Sequence, residues 1–294
     1  MYEVVRFAAL GPERRRALYD FIQQLGGSRW FSTCEEMTGN YAGDTFAGGA
    51  NHLTVWDADR PVGALGVITV TAAENGDAML VSPYLAAAAL DALRALLGEA
   101  AAIALAAGAR RAVLQLDERS AWARACAEQE GYVVSHESLT LRYAGGERPP
   151  LPAGFTVEPL REEDAAAYAR IDHDAFIDSP NGVPITVPAL LEQMHEPGTR
   201  FFLGRWQGEP AAAICLRLRQ DGGWIQSLAV APALQGRGLG RASLRFAVNH
   251  LRASCATIRL GVMSNNARAL GLYLSEGFER ERAVAIWLCK QFAQ

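Results

Sequence analysis

Residues 225–251 read Ile-Gln-Ser-Leu-Ala-Val-Ala-Pro-Ala-Leu-Gln-Gly-Arg-Gly-Leu-Gly-Arg-Ala-Ser-Leu-Arg-Phe-Ala-Val-Asn-His-Leu, and this stretch decides the fold. Its first part, Ile225–Val230, is a short apolar run between Gly223 and Pro232, which is typical of a buried strand. The apolar positions that follow recur at the spacing of one helical face: Leu244, Ala247, Val248 and Leu251. The pattern therefore predicts a strand, a glycine-rich loop and a helix in close succession.

The loop between this strand and helix has glycine at Gly236, Gly238 and Gly240. Glycine lets successive backbone N–H groups converge on an anion, and the start of a helix adds unpaired donors and the positive end of its dipole. Arginines follow at intervals of four, at Arg237, Arg241 and Arg245, so they can lie on the same side as the loop. These features predict a phosphate-binding loop.

Two common phosphate loops do not fit residues 235–241. A nucleoside-triphosphate loop needs Gly-Lys-Ser/Thr, and this stretch has no lysine. A dinucleotide fold needs Gly-x-Gly-x-x-Gly, whereas the spacing here is Gly-x-Gly-x-Gly. The next strand, residues 257–262, also ends without an acidic residue that could hold a ribose.

The stretch resembles the acyl-coenzyme A loop of the GNAT superfamily of N-acetyltransferases, Gln/Arg-x-x-Gly-x-Gly/Ala after a Leu-Ala-Val strand and a proline. Residues 235–240 fill the loop pattern, and Leu228-Ala229-Val230 fills the strand. Downstream, residues 265–278 are similar to the family's second signature, Asn-x-x-Ala, then Tyr, then Gly-Phe. Two signatures in the same order as in the family identify residues 155–294 as a GNAT domain.

The resemblance implies the residues of the site. Acetyl-CoA, the co-substrate of the family, would be held by Leu228, Ala229, Val230, Gln235, Gly236, Arg237, Gly238, Leu239, Gly240, Arg241 and Asn266. Tyr273 would protonate the departing thiolate as general acid. Asn266 also suits a helix N-cap, which is compatible with ligand contact, and Tyr273 also suits the core face of an amphipathic helix. No metal is implied.

Composition limits the remaining function classes. A chain of 294 residues with 50% hydrophobic residues is long enough for two domains, each with its own core. The net charge of −4 disfavours nucleic acid and anionic membranes as partners. Five scattered cysteines form no disulfide or metal framework, and the amino terminus lacks the features of a secretory signal, so we expect a cytoplasmic protein.

The order of predicted elements occurs twice, on either side of a linker rich in glycine and proline at residues 144–154. In residues 1–143 we expect strands at 2–7, 52–56, 62–71, 76–82, 111–116 and 132–143, and helices at 12–24, 85–107 and 120–130. In residues 155–294 we expect strands at 155–159, 200–206, 210–219, 225–230 and 257–262, and helices at 162–171 and 189–195 besides those after the two signatures. The fold class expected from the resemblance is α/β, with two tandem GNAT folds, each a twisted, splayed mixed sheet flanked by helices.

The two halves differ in their chemistry. Where the second half has its glycine loop, the first has Pro83-Tyr84-Leu85 followed by alanines, without glycine or arginine. Aligning Gly131-Tyr132 with Gly277-Phe278 places Ser120 opposite Asn266 and Ala127 opposite Tyr273. We therefore expect a degenerate first domain that lacks the CoA loop. Structural support, substrate gating and weak ligand binding all remain open as its role.

The general base cannot be identified from the sequence. Many relatives place a glutamate on the strand before the loop, where this chain has only Gln226 and Ser227. The candidates lie on the segment that lines the acceptor site in the family, or a short distance beyond it: Asp172, His173, Asp174, Asp178 and His195. An Asp-His-Asp cluster is more often a solvated surface than a catalytic site.

Three function classes follow. The first is transfer of acetyl from acetyl-CoA to a primary amine of a small molecule or peptide, by direct attack in a ternary complex in the second half. The second is an acyl-CoA sensor without turnover. The third, an aminoacyl-tRNA-dependent transferase, is disfavoured by the CoA loop and the net acidity. The tandem architecture is similar to the mycothiol synthase family, and the sequence leaves open both the acceptor and whether the chain is a monomer or a homodimer.

Overall fold

The computed structural model describes residues 2–28, 30–70, 72–86, 89–117, 121–145, 151–176 and 185–292. These residues form two compact units, one of Met1–Ser138 with Ala283–Gln294 and one of Leu139–Arg282. Each unit contains a mixed sheet with helices packed on it. The chain is therefore a mixed α/β protein, as expected.

The strands, in chain order, are β1 (Glu3–Arg6), β2 (His52–Asp57), β3 (Arg60–Ile68), β4 (Asp77–Leu85), β5 (Arg111–Asp117), β6 (Val133–Tyr143), β7 (Phe155–Pro159), β8 (Thr199–Trp206), β9 (Glu209–Arg219), β10 (Gly222–Val230), β11 (Ile258–Met263) and β12 (Phe278–Gln291). In the first unit the order is β1-β2-β3-β4-β5-β12, and in the second it is β6-β11-β10-β9-β8-β7. In each unit one central pair is parallel, β4 with β5 and β10 with β11.

The α-helices are α1 (Pro12–Gln24), α2 (Cys34–Tyr41), α3 (Ala72–Asn75), α4 (Leu90–Ala106), α5 (Arg124–Gln129), α6 (Ala165–Phe176), α7 (Val187–Gln193), α8 (Leu239–Arg252) and α9 (Ala267–Ser275). Short 3-10 helices lie at Phe7–Ala9, Asp44–Gly49, Ala121–Ala123, Glu162–Asp164 and Pro232–Leu234. None of the helices in these described ranges combines the length and the hydropathy that a membrane span needs.

The sheet of the second unit is covered on both faces. On one face, the apolar side of α8 packs against strand residues of β9, β10 and β11, among them Ile214, Ile225 and Leu260. On the other face, α6 and α7 bury Tyr168 and Leu190 against Ala213, Cys215 and Ala229. These two faces are called the α8 face and the α6 face below. Successive β10 residues alternate between the α8 face and the α6 face from Ser227 onward.

The first unit has two large hydrophobic core clusters. The helix α4 packs on the sheet through an aliphatic cluster that includes Leu93, Leu96 and Leu97. The helices α1 and α2 cover an aromatic cluster formed by Phe7, Phe31, Tyr41, Phe46 and Trp56. His52 is fully buried beside this cluster, with its ring stacked 3.6 Å from the ring of Tyr41.

Most predicted elements are confirmed, with shifts at their ends. The predicted helix at 85–107 begins only at Leu90, because Tyr84 and Leu85 still pair with Ala64 and Gly63 on β3. The predicted helices at 120–130 and 162–171 each open with a 3-10 turn and end at Gln129 and Phe176. Ser120, which was aligned with Asn266, lies outside the described residues.

The two longest elements that the sequence does not predict are α2 and β12. The helix α2 is capped by Thr33, whose hydroxyl accepts a hydrogen bond from the N–H of Glu36 at 3.1 Å. The strand β12 follows directly after the second signature and starts with an alternating run of Glu and Arg at residues 279–282. Such a run suggests a solvated segment, and only pairing with distant strands makes it part of a sheet.

The compact units differ from the expected division at 143 and 155 in one respect. Residues 285–291 of β12 pair antiparallel with Asp117–Arg111 of β5, so the last strand of the chain completes the sheet of the first unit. Residues 139–143 of β6 in turn belong to the second unit. Part of the expected linker, residues 146–150, lies outside the described residues. The repeat boundaries at residues 143 and 155 therefore remain a proposal.

Candidate active site

A gap opens between β10 and β11 in the middle of the second unit. β10 pairs with β11 only from Gly223 to Ile225, although it continues to pair with β9 as far as Val230. The register on β9 shifts between Ile225 and Ser227, which marks Gln226 as a bulge. In the described part of the chain, residues 226–230 have no partner strand on the β11 side. One wall of the gap is therefore an unpaired strand edge.

Backbone directions show which groups face this gap. The N–H of Ala231 donates to the C=O of Ala211 at 2.9 Å, on the β9 side. Because these groups alternate along a strand, Ala229 also faces β9, whereas the N–H and C=O groups of Leu228 and Val230 point into the gap. Of the three predicted strand residues, the outer two thus offer backbone donors to a ligand.

The glycine loop follows directly. Gly236 and Gly238 both have φ of +80°, and Gly238 is the N-cap of α8 without a side-chain cap. Within the described residues, the N–H groups of residues 236–241 donate to no partner, and the first helical bond runs from Ala242 to Gly238. A Cβ added at Gly236 or Gly238 would meet nothing within 4 Å. The loop therefore presents a run of free donors to open space, which is the arrangement of an anion-binding nest.

Gln235 ties this loop to its neighbours. Its Nε2 donates to the C=O of Val230 at 3.1 Å, and its Oε1 accepts from Nη1 of Arg268 at 2.5 Å. Near the middle of α9, Leu272 lies 3.7 Å from the position of a Cβ added at Gly240. The end of β10, the loop and α9 thus meet at one place. Gln235 acts here as a link between them.

A carboxylate that the sequence analysis did not single out offsets part of the expected positive charge. Arg241 and Arg245 both donate to Glu276, and the Arg245 bonds measure 2.6 and 2.9 Å. The Glu276 side chain is only 6% exposed. Burial alone would raise the pKa of Glu276, but the bonds and charges of the two arginines outweigh it and hold the pKa below its usual value. Among the three loop arginines, only Arg237 has no ion pair within the described residues.

Asn266 and Tyr273 both have the structural role considered from the sequence. The Oδ1 of Asn266 accepts from the N–H of Ala269 at 3.1 Å, which confirms it as the N-cap of α9. Tyr273 is half-buried, with its ring 6.1 Å from that of Phe278, and it packs on the same core as Leu228. Burial raises the pKa of Tyr273 to about 12, so its hydroxyl is protonated at neutral pH. That state is the one a general acid needs.

The cluster at residues 172–174 separates in the structure. Asp172 is buried, and its carboxylate accepts from the hydroxyl of Ser227 at 3.2 Å and from the N–H of Ile185 at 3.0 Å. His173 and Asp174 are exposed and bond to each other at 3.2 Å. His195 is exposed, and Asp178 lies outside the described residues. No His, Cys, Asp or Glu side chains are grouped for a metal ion anywhere in the part of the chain that the structure describes.

The first unit repeats the gap without the loop. β4 pairs with β5 only from Asp77 to Leu80, and beyond that point lies a cavity of about 580 Å³ whose lining includes Tyr84, Asp117 and Ser138. The N-cap of α4 is Ala89, and the first turn carries the acidic residue Asp91. An acidic first turn opposes anion binding. Residues 87–88 lie outside the described part of the chain.

Comparisons with known proteins agree with this geometry. Residues 160–278 match the acetyltransferase (GNAT) family. A mycothiol acetyltransferase of Kineococcus radiotolerans is 31% identical over 189 residues, which cover 61% of this chain and 62% of that protein. A mycothiol acetyltransferase of Thermomonospora curvata is 32% identical over 138 residues, covering 44% of this chain and 46% of that protein. The chain thus spans roughly half to three fifths of the length of these curated relatives.

Solved structures share the fold along the whole chain. A GCN5-related N-acetyltransferase from Sphaerobacter thermophilus has a TM-score of 0.64 at 16% identity, covering 99% of this chain and 95% of that one. A tandem GNAT protein from the clavulanic acid biosynthesis pathway has a TM-score of 0.63 at 16% identity, covering 100% and 99%. Identity this low shows the fold alone. Residues 160–278 are therefore similar to the GNAT acetyltransferase family, and the chain as a whole has the tandem GNAT fold.

Proposed function

We propose that this protein transfers an acetyl group from acetyl-CoA to a primary amine of a small molecule or peptide, by direct attack in a ternary complex in the second unit. The observation that carries the proposal is the run of free N–H groups at residues 236–241 beside the unpaired edge of β10. The family match covers this region, and the curated relatives are acetyltransferases.

The residues present fit acetyl-CoA. The loop N–H groups and the α8 dipole would hold the diphosphate, and Arg237 would add a full charge. The N–H of Val230 would hold the pantetheine arm along the gap, and the N–H of Leu228 would face the thioester carbonyl. Asn266, at the start of α9, would contact the arm from the other side of the gap while still capping its helix. Bound acetyl-CoA supplies an activated thioester.

The chain's own groups then account for the transfer. Fixing the thioester beside the amine removes much of the entropic barrier of a reaction between two molecules. The N–H of Leu228 donates to the carbonyl oxygen as negative charge builds on it. The Tyr273 hydroxyl gives its proton to the leaving sulfur, and the proton that the nitrogen loses on amide formation replaces it.

A coupled assay tests this proposal. Acetyl-CoA is incubated with amino acids, polyamines and peptides that have a free amino terminus, while a thiol reagent reports CoA release and mass spectrometry reports the acetylated amine. We expect acetylation by the wild type, none by Gly238→Glu, which places a negative charge in the loop, and unchanged acetylation by Gly271→Glu. Gly271 is an exposed position of α9 with open space around it. Binding of acetyl-CoA without acetylation of any amine would contradict transfer and favour the sensor.

A further inference from the structure

Asp172 is a buried carboxylate that forms no ion pair in the part of the chain that the structure describes. It is 6% exposed, and among the described residues its two oxygens accept the Ser227 hydroxyl and the Ile185 N–H. Within the described residues no Lys, Arg or His forms an ion pair with it, and residues 177–184 contain no Lys, Arg or His. Carboxylates this buried are normally paired with a positive charge. The missing partner points to a cationic ligand.

Ser227 places this carboxylate beside the gap. It directly follows the bulge on β10 and precedes Leu228, whose N–H points into the gap. Its side chain lies on the α6 face, because it bonds to Asp172 on α6 and alternates with Leu228. The free donors of residues 236–241 belong to the loop that leads into α8, on the other side of the sheet. The gap is therefore approached by an anion site from one face and by a carboxylate from the other.

We propose that Asp172 and Ser227 bind the acceptor as an ammonium ion and take one proton from its nitrogen. This inference rests on the proposed function and names the acceptor's chemistry, an amine that arrives protonated. The strand before the loop has no carboxylate of its own, only Gln226 and Ser227. Asp172 on α6 supplies one through its hydrogen bond to Ser227.

The proton transfer balances without any other reactant. The ammonium gives a proton to the Ser227 oxygen, while the Ser227 proton moves to Asp172 across their 3.2 Å hydrogen bond. The nitrogen keeps its lone pair and becomes a neutral amine, and Asp172 becomes a neutral acid. The proton on Asp172 then returns to solvent after the product leaves.

A purely structural role for Asp172 is the competing explanation, because its bond to Ile185 fixes the chain just before α7. Substitutions at two positions separate the roles. Asp172→Asn removes the charge and keeps an oxygen for the Ile185 N–H. Ser227→Thr and Ser227→Val have the same shape and differ only in the hydroxyl. Asp174→Asn, at an exposed neighbour, is the control.

The test measures amine binding to the complex with CoA, which cannot react. Butylamine and glycylglycinamide are titrated, with butan-1-ol as the uncharged analogue of butylamine. We expect both amines to bind at least tenfold more tightly than the alcohol. We expect Asp172→Asn and Ser227→Val to lose at least tenfold in amine affinity, while Ser227→Thr and Asp174→Asn stay within threefold. CoA affinity and thermal midpoint should change little in all variants.

Three results would overturn the inference: no amine binding by the wild type, equal binding of butylamine and butan-1-ol, or unchanged amine binding in Asp172→Asn. The outcome is separable from that of acetyl transfer. Amine binding that depends on Asp172, without CoA release from acetyl-CoA, would leave this site in place and contradict transfer. Acetylation that persists undiminished in Asp172→Asn would support acetyl transfer and contradict the role of Asp172.

Discussion

At the scale of single residues, the proposed role of Tyr273 as general acid can be tested directly. Its hydroxyl is protonated at neutral pH because burial raises its pKa to about 12. We expect Tyr273→Phe to lower kcat by about 100-fold or more, since general acid catalysis contributes about that much. Acetyl-CoA affinity, measured by calorimetry, should stay within about twofold because only one oxygen is lost.

The control is Tyr143→Phe, since Tyr143 contacts the same Phe278 ring at 5.2 Å but lies on β6. Unchanged turnover in Tyr273→Phe would remove that tyrosine from the mechanism. A similar loss in both variants would show that the effect is not specific to the Tyr273 hydroxyl.

Glu276 is predicted to stabilise the second unit by joining α8 to α9 through Arg241 and Arg245. Glu276→Gln leaves two guanidinium groups without their carboxylate, and we expect the free energy of unfolding to fall by about 2 kcal/mol. The pKa of Glu276 is lower in the folded protein than in the unfolded chain. This contribution to stability is therefore present at pH values above the pKa of the unfolded chain, and it is lost as the pH falls through the pKa of the folded protein.

Chemical denaturation at neutral pH measures this change, with Glu163→Gln as the control. Glu163 is 72% exposed and pairs with an exposed Arg161, so its loss should cost well under 1 kcal/mol. Equal stability of the two variants would show that the Glu276 pairs contribute nothing.

The sequence could predict residues whose role is local. Asn266 was expected to cap a helix, and it does so through a bond three residues away. Glu276 could not be recognised, because its partners lie on a helix that precedes it by two elements. The sequence also could not separate buried Asp172 from exposed His173 and Asp174, because their positions depend on which side of α6 faces the sheet.

At the scale of elements, the start of α8 depends on two glycines with positive φ. Gly238→Ala introduces a Cβ at φ +80°, which costs about 1–2 kcal/mol in backbone strain although nothing lies within 4 Å of it. We expect the strained loop to bind acetyl-CoA about tenfold more weakly.

Gly271→Ala is the matched control, and its effect on stability should have the opposite sign. Gly271 lies inside α9 with nothing within 4 Å of an added Cβ, so alanine should stabilise the helix by about 0.5–1 kcal/mol. Calorimetry and thermal unfolding of both variants check these expectations. Equal acetyl-CoA affinity in Gly238→Ala and wild type would show that the αL conformation is not needed.

The strand β2 carries His52, whose burial lowers its pKa to about 3. It faces the aromatic rings of Phe7, Tyr41 and Phe46, and neither ring nitrogen has a hydrogen-bond partner among the described residues. A depressed histidine pKa means that the unfolded chain binds the proton first. The free energy of unfolding therefore has its full value above the histidine pKa of the unfolded chain, about 6.5. It falls by about 1.4 kcal/mol per pH unit from there toward pH 3.

The free energy of unfolding of the first unit, measured by denaturation, should therefore be about 2 kcal/mol lower at pH 5 than at pH 7. This loss should depend on His52. We expect His52→Leu to reduce that loss and His195→Leu, at an exposed position, to leave it unchanged. The same pH dependence in His52→Leu and wild type would contradict the assignment.

Element order was largely predictable, because hydrophobic period and glycine or proline boundaries are local signals. The gap between β10 and β11 was implied by the family resemblance, but the bulge at Gln226 that turns Leu228 and Val230 toward it was not foreseen. The pairing of β12 with β5 was also missed, since it joins residues more than 160 positions apart.

At the scale of the whole molecule, the two units have the same architecture and different chemistry. In each unit a parallel pair of strands separates into a gap, and within the described residues only the second unit follows the gap with glycines of positive φ and free N–H donors. The first unit instead starts α4 at an alanine cap with an acidic first turn. The account therefore requires that acetyl-CoA binds in the second unit alone.

Calorimetric titration of acetyl-CoA into the wild type and Gly238→Glu tests that requirement most directly. We expect one site per chain in the wild type and none in the variant, with the fold of the variant confirmed by circular dichroism. Two sites per chain, or one site that survives in Gly238→Glu, would contradict it.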